Sequence, residues 1–435
     1  MQGNAEAKVS GPSLLAGPWP QLIVGIICMA CVANLQYGWT LFVSPIDAKY
    51  HWGRPDIQVA FTTFVLIETW LIPVEGYLVD RFGPRWVVLG GGVLVAAAWA
   101  LNSVADSLML LYVGAAIGGI GVGCVYGTCV GNALKWFPGR RGLAAGFTAA
   151  GFGAGAAVTV VPIGKMIESS GYEHTFMVFG LLQGAIVLVM SLLMVKAPSN
   201  LKPTTPVAAR HVSPRGDCTP AQVLATPLFY VLYVMFVLVA AGGLTMAANI
   251  ALVAKDFKID KTPVEVLFWT GPALATALAM NRVFDGVGRP FFGWISDRIG
   301  RENTMFIAFS IGAIALYSLS QVGTDPIWFV LITAVYFGVY GEIFSLFPAT
   351  QGDTFGSKYA AANAGMLYTA KGMAAFVVPL GAYLGKQQGW NTVFLLIVGC
   401  NAVAALLAMF VLKPMRARWY ASSPPQGQVA AAQAR

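Results

Sequence analysis

Gly76-Tyr-Leu-Val-Asp80-Arg81-Phe-Gly83-Pro-Arg85 is echoed by Gly293-Trp-Ile-Ser-Asp297-Arg298-Ile-Gly300-Arg301. The two aspartates stand 217 positions apart, almost half of the 435-residue chain. Each copy follows one apolar run and precedes another, so each reads as a short glycine-bearing turn between two helices. Its Asp and Arg can pair across helix ends and latch one arrangement of the chain. A single copy would be an ordinary charged turn. Two in register mark a duplicated unit. The candidate latch is Gly76, Asp80, Arg81, Gly83 and Arg85 in the first copy, and Gly293, Asp297, Arg298, Gly300 and Arg301 in the second.

The flanking sequence explains what is duplicated. Apolar residues make up 57% of the chain and charged residues 11%, against about 25% charge in soluble domains. So little charge cannot cover a water-facing surface, which excludes a soluble protein. A helix needs about 20 apolar residues to cross a hydrocarbon core of roughly 30 Å. Twelve such runs are expected, at 21–48, 56–79, 84–104, 107–133, 141–166, 172–195, 227–254, 263–296, 302–321, 326–350, 359–385 and 389–412. They are numbered helices one to twelve below. The expected fold is therefore all-α and integral to the membrane, with twelve transmembrane helices in two pseudo-symmetric six-helix halves, 21–196 and 227–413. A segment 1–20, a central loop 197–226 rich in Pro, Ser and Thr, and a low-complexity tail 414–435 complete the chain.

Charge sets the expected orientation. With both termini cytoplasmic, seventeen of the 27 Lys and Arg residues fall on the inside and seven outside. The net charge of +8 is scattered between apolar blocks, which is loop-like and does not suggest nucleic acid. Cys28, Cys31, Cys124, Cys129, Cys218 and Cys400 read as small apolar fillers, because no second pair completes a metal site. His51, His174 and His211 fall in expected loops. A membrane enzyme would need an intramembrane base or metal cluster that this chain does not supply, so neither enzyme activity nor a cofactor or metal is expected.

Three cations belong to no loop: Arg282, Arg289 and Lys371. Each costs roughly 2.5–3.5 kcal/mol at a helix centre, so each is expected to line a cavity or meet a partner. Arg289 lies eight residues before Asp297, about 12 Å into helix eight at 1.5 Å per residue. Lys371 lies near the middle of helix eleven. The repeat should set the two across one central cavity, where they would suit an organic anion with separated carboxylates. The competing reading of Arg289 is a structural ion pair with Asp285 one turn earlier, a partner that Arg282 could equally claim. Glu342, in mid-helix ten, is either a proton carrier or a fixed counter-ion for Lys371. Glu68 and Glu75 are further buried acids, the latter near the latch. Tyr37, Trp39, Tyr126, Tyr340, Phe344 and Tyr368 are candidate walls, with Tyr368 and Lys371 sharing a helix face. Gly119, Gly123, Gly127 and Gly131 recur every four residues, which suits close packing or a surface for sliding.

Duplicated six-helix halves that each carry a G-x-x-x-D-R-x-G turn resemble the major facilitator transporters. Closer motifs narrow this: Asn34-Leu-Gln-Tyr37-Gly-Trp39-Thr-Leu, Gly121-Val-Gly-Cys-Val-Tyr126-Gly, Lys135-Trp-Phe-Pro-Gly-Arg-Arg141-Gly-Leu, Gly288-Arg289-Pro290-Phe-Phe-Gly-Trp and Leu346-Phe-Pro. Together they resemble the oxalate:formate antiporter family of that superfamily, over roughly residues 20 to 415. The resemblance implies that Arg289 and Lys371 bind the substrate carboxylates inside an aromatic cage drawn from Tyr37, Tyr126, Tyr340 and Tyr368. The acids Asp285 and Glu342 depart from that family's pattern. Asp285-Gly-Val-Gly-Arg289-Pro290 is instead similar to the D-x-x-x-R-P of proton-coupled monocarboxylate transporters. The expected function is thus secondary transport of small carboxylates by alternating access, with oxalate/formate antiport first and proton symport of lactate or pyruvate second. The expected setting is a bacterial inner membrane, with the protein monomeric in the bilayer.

Overall fold

The computed structural model describes residues 17–137, 141–198, 217–267, 269–356 and 359–421. Twelve long helical segments run through them, and successive segments run in opposite directions. Pro18–Tyr50, Pro84–Ser103, Tyr172–Leu193 and Pro227–Asp256 are among ten that are long and apolar enough to cross a membrane. Helix two (Arg54–Trp70 and Ile72–Phe82) and helix eight (Ala273–Ile299) complete the twelve. One end of the bundle carries Pro18, Gly83 and Gly300, and is called the near end. The far end carries Trp52, Gly171 and Gly389.

Several helices are interrupted a few residues before a proline, which lacks the N–H that would bond four residues back. Helix two breaks at Leu71 before Pro73, and helix eleven at Phe376 before Pro379. Helix five passes through the tight turn Ala156–Val158 before Pro162. Helix ten breaks at Gly341 and Glu342, between Pro326–Tyr340 and Ile343–Phe355. These breaks lie at mid-depth and give the middle of the bundle its irregular backbone.

Close approach between helices is bought by glycine at defined places. A Cβ on Gly288 would lie 1.9 Å from the Gly338 carbonyl oxygen, so helices eight and ten touch backbone to backbone. A Cβ on Gly243 would lie 1.9 Å from the Tyr340 ring, which seats that ring on helix seven. The glycine row of helix four faces helix two: Gly119 meets the Phe64 carbonyl, and Gly123 meets the Glu75 carboxylate. Within this structure that row packs inside one half, while Gly131 and Gly146 face open space.

Both repeat turns are built on glycine in the left-handed region, Gly83 at φ 81° and Gly300 at φ 93°. In the second copy Arg301 pairs with Asp297 at 2.8 Å and with Asp353 of helix ten at 3.0 Å, and also contacts Ser296. Arg298 instead lies over the Trp294 ring at 3.9 Å. In the first copy Arg85 donates to the Leu192 carbonyl of helix six, and Arg81 lies 5.4 Å from the Phe82 ring. Gly293 has nothing near its Cβ position. The surroundings of Gly76 and the side chain of Asp80 fall outside the described residues.

Two boundaries differ from expectation. Helix eight begins at Ala273, not near 263. Pro263–Val266 and Trp269–Pro272 pair as an antiparallel hairpin, with Val264 opposite Gly271 and Glu265 opposite Thr270. Prolines at both outer corners and alternating valines favour strands over a helix start, and Leu267 turns at φ 57°. Helix twelve runs on past 412 as Lys413–Ala421, because Arg416 is buried against Glu302 and Thr354. Residues 199–216 of the expected central loop lie outside the described residues, and its end forms the short helix Pro220–Leu224 with a capping box at Thr219 and Gln222.

Candidate functional site

Helix eight places Arg282, Asp285 and Arg289 on one stripe, at i, i+3 and i+7. All three are buried. The Asp285 carboxylate takes both arginines, Arg289 at 3.2 Å and Arg282 at 3.4 Å. The Arg289 Nη1 donates to the Ala149 carbonyl of helix five at 2.9 Å, and its Nη2 to the Tyr37 hydroxyl at 3.4 Å. Its guanidinium lies flat over Gly153, where a Cβ would stand 3.1 Å from three of its atoms. Arg282 is held between the Tyr37 and Phe337 rings, at 4.0 and 4.3 Å. Each guanidinium thus has an aromatic face as well as a carboxylate.

Helix eleven brings Lys371 to the same region from the other side. Its Nζ donates to both Glu68 carboxylate oxygens, at 2.9 and 3.1 Å, and to the Gln36 amide oxygen at 2.9 Å. Lys371 and Glu68 are each 1% exposed. The Phe344 ring lies 4.6 Å from Arg289 and 5.8 Å from Lys371, so one ring neighbours both cations. Phe152 and Tyr368 also flank Lys371, at 5.8 and 5.4 Å. Tyr126 stacks on Tyr368 at 5.8 Å and meets Phe152 at 5.3 Å, while Tyr37 meets Phe152 at 5.5 Å. The result is three buried cations, Lys371 paired with Glu68 and Arg282 and Arg289 sharing Asp285, inside a wall of Tyr37, Tyr126, Phe152, Phe344 and Tyr368 contributed by both halves.

Most of the expected residues therefore converge. Arg289, Lys371, Arg282, Asp285, Tyr37, Tyr126 and Tyr368 do so directly. Tyr340 joins at the edge, 5.7 Å from Phe344, with its ring on Gly243. Trp39 does not. It stands two residues from Tyr37, which turns it to another helix face, and its indole N–H donates to the Gln58 amide oxygen at 3.0 Å. Gln58 donates in turn to Asn249 and to the Ala248 carbonyl, so Trp39 belongs to a far-end seam between the halves. Glu342 departs as well. It is fully buried with neither carboxylate oxygen hydrogen-bonded, and the counter-ion of Lys371 is Glu68.

Glu68, Gln36 and Phe152 were not assigned to the site from the sequence. For Glu68 a signal existed. It precedes Asp285 by the same 217 positions that separate Asp80 from Asp297, so the two buried acids are equivalent positions of the repeat. Gln36 and Phe152 carry no comparable mark.

The family model of the Major Facilitator Superfamily matches residues 25–379 and 234–433. The oxalate:formate antiporter of Oxalobacter formigenes is 33% identical over 404 residues, which cover 92% of this chain and 93% of that protein. Monocarboxylate transporter 11 of Mus musculus is 25% identical, covering 87% of this chain and 81% of its own length. Among solved structures, a crystal structure of the peptide transporter POT superposes with a TM-score of 0.70 at 15% identity, over 92% of this chain and 95% of that one.

Proposed function

The chain belongs to the major facilitator superfamily, and on that premise we propose that it exchanges oxalate for formate by alternating access. The observation that carries this reading is that Arg289 and Lys371 both lie near the Phe344 ring, at 4.6 and 5.8 Å, within one aromatic enclosure. Arg289 offers a planar fork for one carboxylate and Lys371 a point charge for the other. Flat aromatic faces suit a small planar dianion and exclude water from it. The antiporter at 33% identity supports the same substrates. In this reading the near end, richer in Lys and Arg, faces the cytoplasm of a bacterial cell, with both termini on that side, and one chain forms the working unit.

A second reading, proton symport of a monocarboxylate, is favoured by the Asp285–Arg289 pair at i, i+4 and by the similarity to monocarboxylate transporter 11. Uptake of radiolabelled oxalate into proteoliposomes separates the two. Exchange requires oxalate or formate inside the vesicle. Failure of oxalate to enter, with lactate or pyruvate entering on an inward proton gradient, would establish the symporter instead.

A further inference from the structure

Arg282 is a buried cation that exchange through Arg289 and Lys371 leaves without a task. Its guanidinium is clamped between the Tyr37 and Phe337 rings, and its Nη1 donates to Asp285 at 3.4 Å. Among the described residues, neither its Nη2 nor its Nε has a hydrogen-bond partner. The neighbouring Asn281 is fully buried, and both polar atoms of its amide are unpartnered as well. Asp285 follows Asn281 by four residues and Arg282 by three. Side chains on a helix lean toward its N-terminus, so the Asp285 carboxylate lies over both. Arg282 and Asn281 are thus an unfilled set of donors on the far-end side of Asp285.

On the near-end side the donors are filled. Asp285 takes the Arg289 Nε at 3.4 Å and its Nη2 at 3.2 and 3.3 Å. Those two groups form the fork through which a guanidinium grips a carboxylate in parallel bonds. A substrate carboxylate that needs this fork has to displace Asp285, and a buried carboxylate stripped of its cation is strongly destabilised. The charges show how that cost is avoided. Two arginines face one carboxylate in this structure, and a substrate carboxylate makes the count two against two. Helix ten leaves room for the movement, because a Cβ on Gly341 would lie 2.4 Å from the Asp285 Oδ1.

We propose that Arg282 is a positioning residue for substrate binding: when a substrate carboxylate takes the Arg289 fork, Asp285 passes to the unpartnered N–H groups of Arg282 and returns when the substrate leaves. Asn281 supplies a further donor to Asp285 in the shifted position. The inference rests on the exchange reading, in which Arg289 binds a carboxylate. Arg282 stays where the two rings hold it, so only the Asp285 side chain has to turn. The contacts broken are those of Asp285 with Arg289, the contacts formed are with Arg282, and Asp285 has an arginine partner before and after.

The test is radiolabelled oxalate exchange in oxalate-loaded proteoliposomes, with apparent KM and kcat measured for wild type, Arg282→Gln, Asp285→Asn and the double variant. Arg282→Gln leaves a displaced Asp285 with no cation, so apparent KM should rise about tenfold or more while kcat changes little. Asp285→Asn removes the competitor and should by itself lower KM. Combined with Arg282→Gln it should return KM to the wild-type range, because no carboxylate is left to be held. Arg282→Lys, which keeps a cation in place, should fall between wild type and Arg282→Gln. A residue that only packs the helix would lose activity in both backgrounds. In wild type, a structure with oxalate bound should show Asp285 on Arg282 and off the Nε and Nη2 of Arg289, which decides even if a variant does not fold. A wild-type KM in Arg282→Gln, a loss that Asp285→Asn does not relieve, or Asp285 still seated on Arg289 beside bound oxalate overturns the role of Arg282 and leaves the exchange reading standing. Absence of oxalate exchange in wild type overturns the exchange reading, and this inference with it.

Discussion

All three ammonium protons of Lys371 are engaged within the protein, two by Glu68 and one by Gln36. Arg289 differs, because its fork reaches Asp285, Tyr37 and a backbone carbonyl while one of its five N–H groups is unassigned. On the proposed reading, a single carboxylate would bind at Arg289 without disturbing Lys371, whereas a second one would not. Lys371→Gln should therefore weaken oxalate transport far more than formate transport. A lost charge-assisted hydrogen bond is worth about 1.5–3 kcal/mol, or roughly tenfold to a hundredfold in apparent affinity. Apparent KM values for the two anions measured side by side check this, and equal losses would count against a role for Lys371 in the second carboxylate. The Asp285–Arg289 pair could be read from the sequence because both partners sit one turn apart on one helix. Lys371 and Glu68 are 303 positions apart, and helix periodicity says nothing about a partner on another helix. Only the duplicated spacing pointed to Glu68. The misplacement of Trp39 has a local cause: neighbours two apart on a helix look in different directions, however similar their side chains.

At the scale of the element, glycines decide how closely helices seven, eight and ten can meet around the site. The backbone contact of Gly288 with Gly338 and the seat of Tyr340 on Gly243 leave no room for a methyl group. Gly288→Ala and Gly243→Ala should each lower stability by about 1–3 kcal/mol through overpacking. Gly352→Ala, on the near-end part of helix ten with nothing within 4 Å, should leave it unchanged or slightly raised. Apparent Tm in detergent measures all three, and a Gly288→Ala protein as stable as wild type would show that these helices can separate at no cost. The twelve-helix plan was legible because runs of about 20 apolar residues have few alternatives in a chain this poor in charge. The hairpin Pro263–Pro272 was not, because an apolar strand at a membrane surface has the composition of a helix end, and its pairing is settled by prolines and a left-handed turn at Leu267. The mid-helix breaks were legible only as prolines, since the sequence does not say whether a proline kinks a helix or interrupts it.

At the scale of the whole molecule, the described contacts between the halves concentrate from the far end to mid-depth. Arg54 pairs with Asp256 at 2.7 Å, the Ala251 amide donates to the Thr40 hydroxyl, and Gln58 bridges to Asn249. Deeper, Thr62 donates to the Ala375 carbonyl, Lys371 meets Glu68, and Arg289 meets Ala149. This structure therefore has its far end shut over the candidate site. Arg54 and Asp256 are both partly exposed, and such pairs contribute about 0–1 kcal/mol. Weak, solvent-screened contacts suit a closure that must open once per cycle, whereas the buried pairs below it can exchange partners with a ligand. If alternating access operates through this seam, tying it should stop transport without damaging the fold. Cysteines at Arg54 and Asp256, in a background lacking the six native cysteines, can be joined by a cleavable thiol cross-linker. Exchange should fall to the level of protein-free liposomes when the link is made and recover when it is cleaved. Exchange that continues in the cross-linked protein would mean that the far end never opens between these two helices, and the path of the substrate would then have to lie elsewhere in the bundle.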